Sequence, residues 1–184
     1  MQNSYEKLLP KLPELFEISL SSDKNGAGIF RKIEKFLCFH DAFIYFANTN
    51  SLQLKYSYKK HANYEIDRTF KINTEIKNFI FSKNSKILNS DSKLIKAVEL
   101  NDCRHKSFMV AKISIKSTVF GIILLTKREE NFYTNYDLYV LQTISSILAY
   151  ILKDNELSNV FKLQLKALKD GIVEKNEAYK TIKE

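Results

Sequence analysis

A chain of 184 residues, 45% hydrophobic and 27% charged, has globular composition and the length for one domain with an extension, not for two full domains. Its longest uncharged apolar runs, such as VFGIILLT, fall far short of the roughly 20 residues that cross a bilayer, and MQNSYEKLLPKLPELFEI has neither the apolar region nor the small-residue cleavage site of a secretory signal. The formal charge of +8 comes from lysines scattered from Lys7 to Lys183 among Asp and Glu, without a basic run, so it reads as a solvated surface and argues against nucleic acid or a membrane as partner.

Two cysteines, Cys38 and Cys103, make no disulfide framework and suit a reducing compartment, which predicts a cytoplasmic protein. Pro10 and Pro13 punctuate the start, so residues 1–11 form a lead-in, and Pro13 sits at the favourable first turn of a helix over Glu14 to Leu20. After SSDKNGAG, the steps of three and four between Ile29, Phe30, Ile33, Phe36 and Leu37 predict a second helix over Ile29 to Phe39.

DAFIYFANTNSLQLKYSYKK reads as two strands around the turn Asn48-Thr49-Asn50-Ser51, since aromatic and aliphatic residues flank small polar ones. Phe70 and Ile72 form a short strand, and Ile76, Phe79 and Ile80 predict a helix capped by Thr74. KILNSD is a short strand or loop. Lys93 to Lys106 has weak periodicity and reads as a variable loop with a helical turn.

The strongest strand pair is SFMVAKISIK and VFGIILLTK around a turn at Ser117-Thr118. Met109, Ala111, Ile113 and Ile115 alternate with more polar residues, which gives the first strand one well-buried face. In the second strand both parities are apolar, as in a central strand covered on both sides. Gly121 within it marks the close approach of a neighbouring helix or backbone.

A last helix starts at Thr134 or Asn135, with Asp137 complementing the helix dipole in the first turn. Val140, Ile144, Ile147 and Ile151 make a stripe that Leu138, Leu141, Leu148 and Leu152 widen into a broadly buried face. From Phe161 the stripe narrows to Phe161, Leu165, Leu168, Ile172, Tyr179 and Ile182, a coiled-coil-like seam. An isolated helix with such a seam is marginal in water, and Gly171 costs it about 1 kcal/mol relative to alanine. The expected dimer interface is Ile144, Ile151, Phe161, Leu165, Leu168 and Ile172, and the expected division is a domain over 12–153 and an output helix over 154–184.

The paired strands FMVAKISI and VFGIILLTK, followed by NFYTNYDLYVLQTISSILAYIL, resemble the corresponding part of a GAF domain. There a strand with a glycine leads through a short loop into an aspartate-bearing start of a long apolar helix. LPELFEISLSSDKNGAGIFRKIEKFLCFHDAFIYFAN is similar to that family's two opening helices and first strand, and the likeness spans Leu12 to Leu152. A PAS-like sensor fold is the nearest competitor. The resemblance implies an α+β fold: an antiparallel sheet of six or so strands, helices on one face, and a ligand cavity roofed by loops on the other.

Cys103 and His105, flanked by Asp102 and Arg104, share the C-x-H spacing with Cys38 and His40, but a structural zinc site needs four ligands and nothing brings the pairs together, so no metal site is assigned. His61 or His105 has the chemistry of a haem ligand, while a loop histidine is more often polar surface. The GAF-like methionine sulfoxide reductases use several cysteines in their ligand-side loops, and this sequence has only Cys103 there; the motif context of bilin attachment surrounds neither cysteine. No phosphate-binding glycine motif occurs. Tyr45, Phe46, Tyr56, Tyr58, Tyr64, Phe70 and Phe79, with Met109, have the character to line a ligand pocket, and at these spacings the same residues also serve a core.

The expected function is a non-enzymatic sensory or regulatory module that binds a small ligand or a partner and transmits through a dimerising C-terminal helix. A separate signalling or transcription protein is a candidate partner beside the homodimer, and the sequence names no cofactor and no catalytic residue. The alternatives are a small redox or metal-dependent enzyme using Cys103 and His105, and a ligand-free dimerisation adaptor.

Overall fold

The computed structural model describes residues 27–59, 69–82, 85–98 and 104–181. The expected helix over Glu14 to Leu20, and Cys103, His61 and Tyr64, lie outside them. Within them the order is α1 (Ala27–Glu34), β1 (Asp41–Ala47), β2 (Ser51–Lys59), β3 (Thr69–Lys71), α2 (Thr74–Phe81), β4 (Lys86–Asn89), α3 (Lys93–Ala97), β5 (Ser107–Ile115), β6 (Thr118–Lys127) and α4 (Asn135–Thr181). The strands form one antiparallel six-stranded sheet in the order β3-β2-β1-β6-β5-β4.

Each hairpin follows from its turn. Asn48 donates its amide to the Ser51 carbonyl at 2.8 Å, which closes the β1–β2 turn. Ile115 pairs with Thr118, so the β5–β6 turn is Lys116-Ser117, one residue earlier than the sequence suggests. Lys116 takes φ 53, the left-handed conformation that two-residue hairpin loops demand, although it is not a glycine.

α1 is shorter than its periodicity predicts. Its last apolar positions leave the helix through a turn in which Phe36 and Leu37 donate to the Ile33 carbonyl at 2.9 Å. That exit carries Phe39 back onto the core, where its ring meets Phe30 at 6.5 Å and Tyr58 at 5.8 Å in edge-on geometry. Cys38, between Leu37 and Phe39 in this exit, is exposed.

Strand parity sorts the core into two faces. Phe43, Tyr45, Leu52, Phe108, Val110, Ile122 and Leu124 point one way, against Ile76 and Phe79 of α2 and Leu94 and Ile95 of α3. Ala42, Ile44, Met109, Ala111, Ile113, Ile123 and Leu125 point the other way and are all buried. α1 covers part of this second face through Phe30 on Tyr58, ring centroids 6.0 Å apart. The broad stripe of Val140, Leu141, Ile144 and Leu148 in the first turns of α4 is buried as well and is the remaining cover such a face needs.

Two expectations change here. β5 buries both parities from Ser107 to Ala111 instead of one, because Phe108 and Val110 meet α2 and α3. The face opposite α1 is covered by those two short helices and not by loops alone, and among the described residues its centre is filled by side chains.

Thr134 and Asp137 start α4 with a reciprocal box. The Thr134 amide and hydroxyl donate to Asp137 Oδ2 at 2.8 and 2.7 Å, and the Asp137 amide donates back to Thr134 Oγ1 at 3.3 Å. Just before it, the Lys127 ammonium stands 4.3 Å over the Phe132 ring. The chain divides into two compact units between Ile151 and Leu152, and the second holds the remainder of α4. Among the described residues no helix is long and apolar enough to cross a membrane.

Candidate ligand site

The sheet face beneath α2 is built by a short, well-capped helix. Asn73, not the expected Thr74, is its N-cap and accepts the Ile76 amide on Oδ1 at 3.0 Å. Ser82 stops it by donating its amide to the Asn78 and Phe79 carbonyls at 2.9 and 3.1 Å and its hydroxyl to the Phe79 carbonyl at 2.7 Å. Three residues apart, Ile76 and Phe79 share the face that turns to the sheet and are buried, while Phe81 remains 76% exposed.

Of the expected pocket residues, this face gathers Tyr45, Phe70 and Phe79. The Tyr45 ring lies 5.2 Å from Phe70 and 6.5 Å from Phe43. Phe46, Tyr56, Tyr58 and Met109 belong to the opposite face. Phe46 meets Tyr56 edge-on at 6.1 Å, Tyr58 packs on Phe30, and Met109 pairs with Leu125. Tyr45 and Phe46 are neighbours in a strand, so their side chains must part. A register shift after Ile44 then sets Tyr56 opposite Ile44 and Leu54 opposite Tyr45.

Beside α2 the packed face opens into a crevice of about 310 Å³ lined by Ala47, Asn48, Thr49, Asn50, Ile72, Lys77, Ile80, Phe81 and Val119. Its walls are the β1–β2 turn, the end of β3, the exposed side of α2 and the start of β6. Lys112 of β5 reaches the end of α2 from the sheet, and its ammonium donates to the carbonyl oxygens of Ile80, at 3.2 Å, and of Ser82. Burial holds its pKa below the ordinary lysine value.

At the opposite end of the sheet, His105 is buried and not the surface histidine its loop position suggests. Its Nε2 lies 2.8 Å from Asp41 Oδ2, with both side chains at most 3% exposed. Its ring stands edge-on to Phe108 at 6.4 Å and stacked on His40 at 6.3 Å. Nε2 is directed at a carboxylate, and Thr126 Oγ1 donates to the Asp41 carbonyl at 3.2 Å. His40 Nδ1 accepts the Arg128 amide at 3.2 Å and lies 3.7 Å from Glu129. Burial, then the Lys127 charge, depress the His40 pKa against the opposing pull of Glu129. Among the described residues no group of three or more His, Cys, Asp or Glu is placed to hold a metal ion.

Asp41 and Lys112 escape sequence reading. Each is one charged residue inside an apolar strand, DAFIYFA and SFMVAKISI, and only the partner across the fold gives it meaning.

The structure superposes on the GAF domain of a two-component sensor histidine kinase from Bacillus halodurans with a TM-score of 0.61, covering 77% of this chain and 99% of that one at 17% identity. This chain has the GAF fold. The same fold is shared with the phycoerythrobilin-bound GAF domain of a cyanobacterial phytochrome, TM-score 0.60, 17% identity, 86% of this chain and 95% of that one. It is also shared with fRMsr of Staphylococcus aureus, solved with its substrate, TM-score 0.57, 13% identity, 78% of this chain and 94% of that one. These matches set the PAS-like alternative aside. Neither a protein-family model nor a curated protein matches the chain.

Of the expected dimer residues, Ile144 is taken up by the core of its own chain, Ile151 is half-buried and Leu165 is 50% exposed. The side chains of Phe161, Leu168 and Ile172 lie outside the described set.

Proposed function

We propose that the chain is a non-enzymatic sensory or regulatory module of the cytoplasm. It takes a small ligand on the α2 side of its GAF sheet and passes that event to α4, which pairs with its twin or with a separate signalling or transcription protein. The observation that carries this reading is the exposure of apolar side chains along the later turns of α4, where Leu157, Leu163 and Leu165 are 59%, 67% and 50% exposed. A helix that leaves such residues in water gains by docking them on a partner. Solved relatives that carry a bilin or belong to a histidine kinase favour a sensory role.

Sedimentation of the full chain and of a Leu165→Asp variant tests the output. A dimer that the variant dissociates supports pairing with a twin, and a full-length monomer removes the homodimer and leaves docking on a separate protein. Native mass spectrometry of the same protein tests the input by the mass of any retained small molecule. The enzymatic alternative through Cys103 and His105 has its own support in fRMsr, which shares the fold and was solved with a substrate. It requires that Cys103→Ser abolish activity in the host while leaving the dimer intact.

A further inference from the structure

Lys112 is a half-buried cation whose partners are neutral. Its ammonium meets two backbone carbonyls, those of Ile80 and Ser82, and among the described residues no carboxylate joins them. Those carbonyls sit at the C-terminal end of α2, where helix dipoles leave negative partial charge, so the lysine clamps the helix end to the sheet. A carboxylate offers this ammonium a full negative charge where a carbonyl offers only a partial one, so an anion within reach would compete for it.

The crevice beside the clamp has a matching character. Among the described residues that line it none is acidic, one is a lysine, and three polar residues of the β1–β2 turn, Asn48 to Asn50, face an apolar side that includes Ile72, Ile80 and Val119. Lys77 lies three and four positions before Ile80 and Phe81, on the same exposed side of α2. At about 310 Å³ the crevice stands at the small end of ligand sites, which suits an occupant of few heavy atoms.

We propose that this crevice binds a small organic monocarboxylate with an apolar body, its charged end held by Lys77, and that the anion draws the Lys112 ammonium off the Ile80 and Ser82 carbonyls. Binding then frees the end of α2 from β5, which gives the ligand a mechanical effect on the sheet. This rests on the ligand-binding half of the function proposed above.

The test is a nitrogen-15 NMR titration of the full chain with benzoate and with benzamide, which share a shape and differ in charge. Benzoate is expected to shift the amides of Asn48 to Asn50, Lys77 to Ser82 and Val119, and to bind about threefold more tightly than benzamide, the order of preference an exposed ion pair supplies. Lys77→Gln, an exposed change that leaves the fold alone, is expected to remove that preference. Lys112→Met is expected to leave binding at the mouth while abolishing the shift at Ser82. Equal binding of the two probes, or a Lys77→Gln variant that still prefers benzoate, overturns the anion assignment and leaves the ligand-binding reading standing. A crevice silent to both overturns the assignment too, and the ligand-binding reading falls with it only if native mass spectrometry also finds no retained molecule.

Discussion

The backbone of Gly121 in β6 lies against the carbonyl of Tyr45 in β1. A Cβ on Gly121 would stand 3.0 Å from that carbonyl carbon and 3.1 Å from Phe46 Cα, and closer still to the carbonyl oxygen. The neighbour is another strand, so relief requires parting the two central strands of the sheet. Gly121→Ala is expected to destabilise the fold by about 3 kcal/mol, the upper range for overpacking. Urea denaturation followed by circular dichroism measures it, and an unchanged midpoint refutes the steric account.

The His105–Asp41 pair ties the entrance of β5 to the entrance of β1 deep in the structure. Removing one member strips the other of its best partner where water does not replace it. His105→Ala is expected to cost about 3 kcal/mol, as for other broken buried pairs. A double-mutant cycle with Asp41→Ala separates the bond from lost packing: the double variant should be clearly less damaged than the sum of the singles.

His40 makes stability depend on pH with a defined sign. Its pKa is lowered on folding, so the unfolded chain binds its proton more readily than the folded one. The folded state is therefore favoured above the ordinary value of 6.5 and loses that advantage as pH falls from 6.5 through the lower folded value. His40→Gln is expected to flatten this part of the stability profile. Denaturation midpoints at pH 7.5, 6 and 5, on the order of one pK unit apart about the histidine reference, read it out; parallel profiles for the two proteins disprove the assignment.

Asp137 caps the helix from within its first turn. Because Thr134 and Asp137 satisfy each other and the amides at the start of α4, Asp137→Ala is expected to cost about 1 kcal/mol, far less than the two core changes. Thermal unfolding ranks them, and a loss as large as that of Gly121→Ala would show that the box does more than cap.

Much of this fold is legible in the chain because strand and helix periods are local. The β1–β2 and β5–β6 hairpins, the short β3, the helix at Ile76 and Phe79, and the α4 start at Asp137 all follow from spacing within a dozen or so residues. Gly121 is legible too, since a glycine in an apolar strand announces close approach. The site is less so. Placing Tyr45 with Phe46 ignores that adjacent strand residues face opposite ways, and the register shift after Ile44 leaves no mark in the sequence. The partners of Asp41 and Lys112 lie 64 and some 30 residues away, a distance over which no local pattern carries information.

The strand order has a kinetic consequence as well. β1 and β6 are the first and last strands described, and yet they are neighbours at the centre of the sheet, joined where Thr126 bonds to Asp41 across 85 residues. During synthesis the β1–β2 hairpin emerges early with half of its hydrogen-bonding edge bare, and it waits until β6 has left the ribosome. Closing so long a loop comes before any contact rewards it, so this seam sets the pace of folding, and the open edge of β1 is where a nascent chain is most exposed to pairing with the wrong strand.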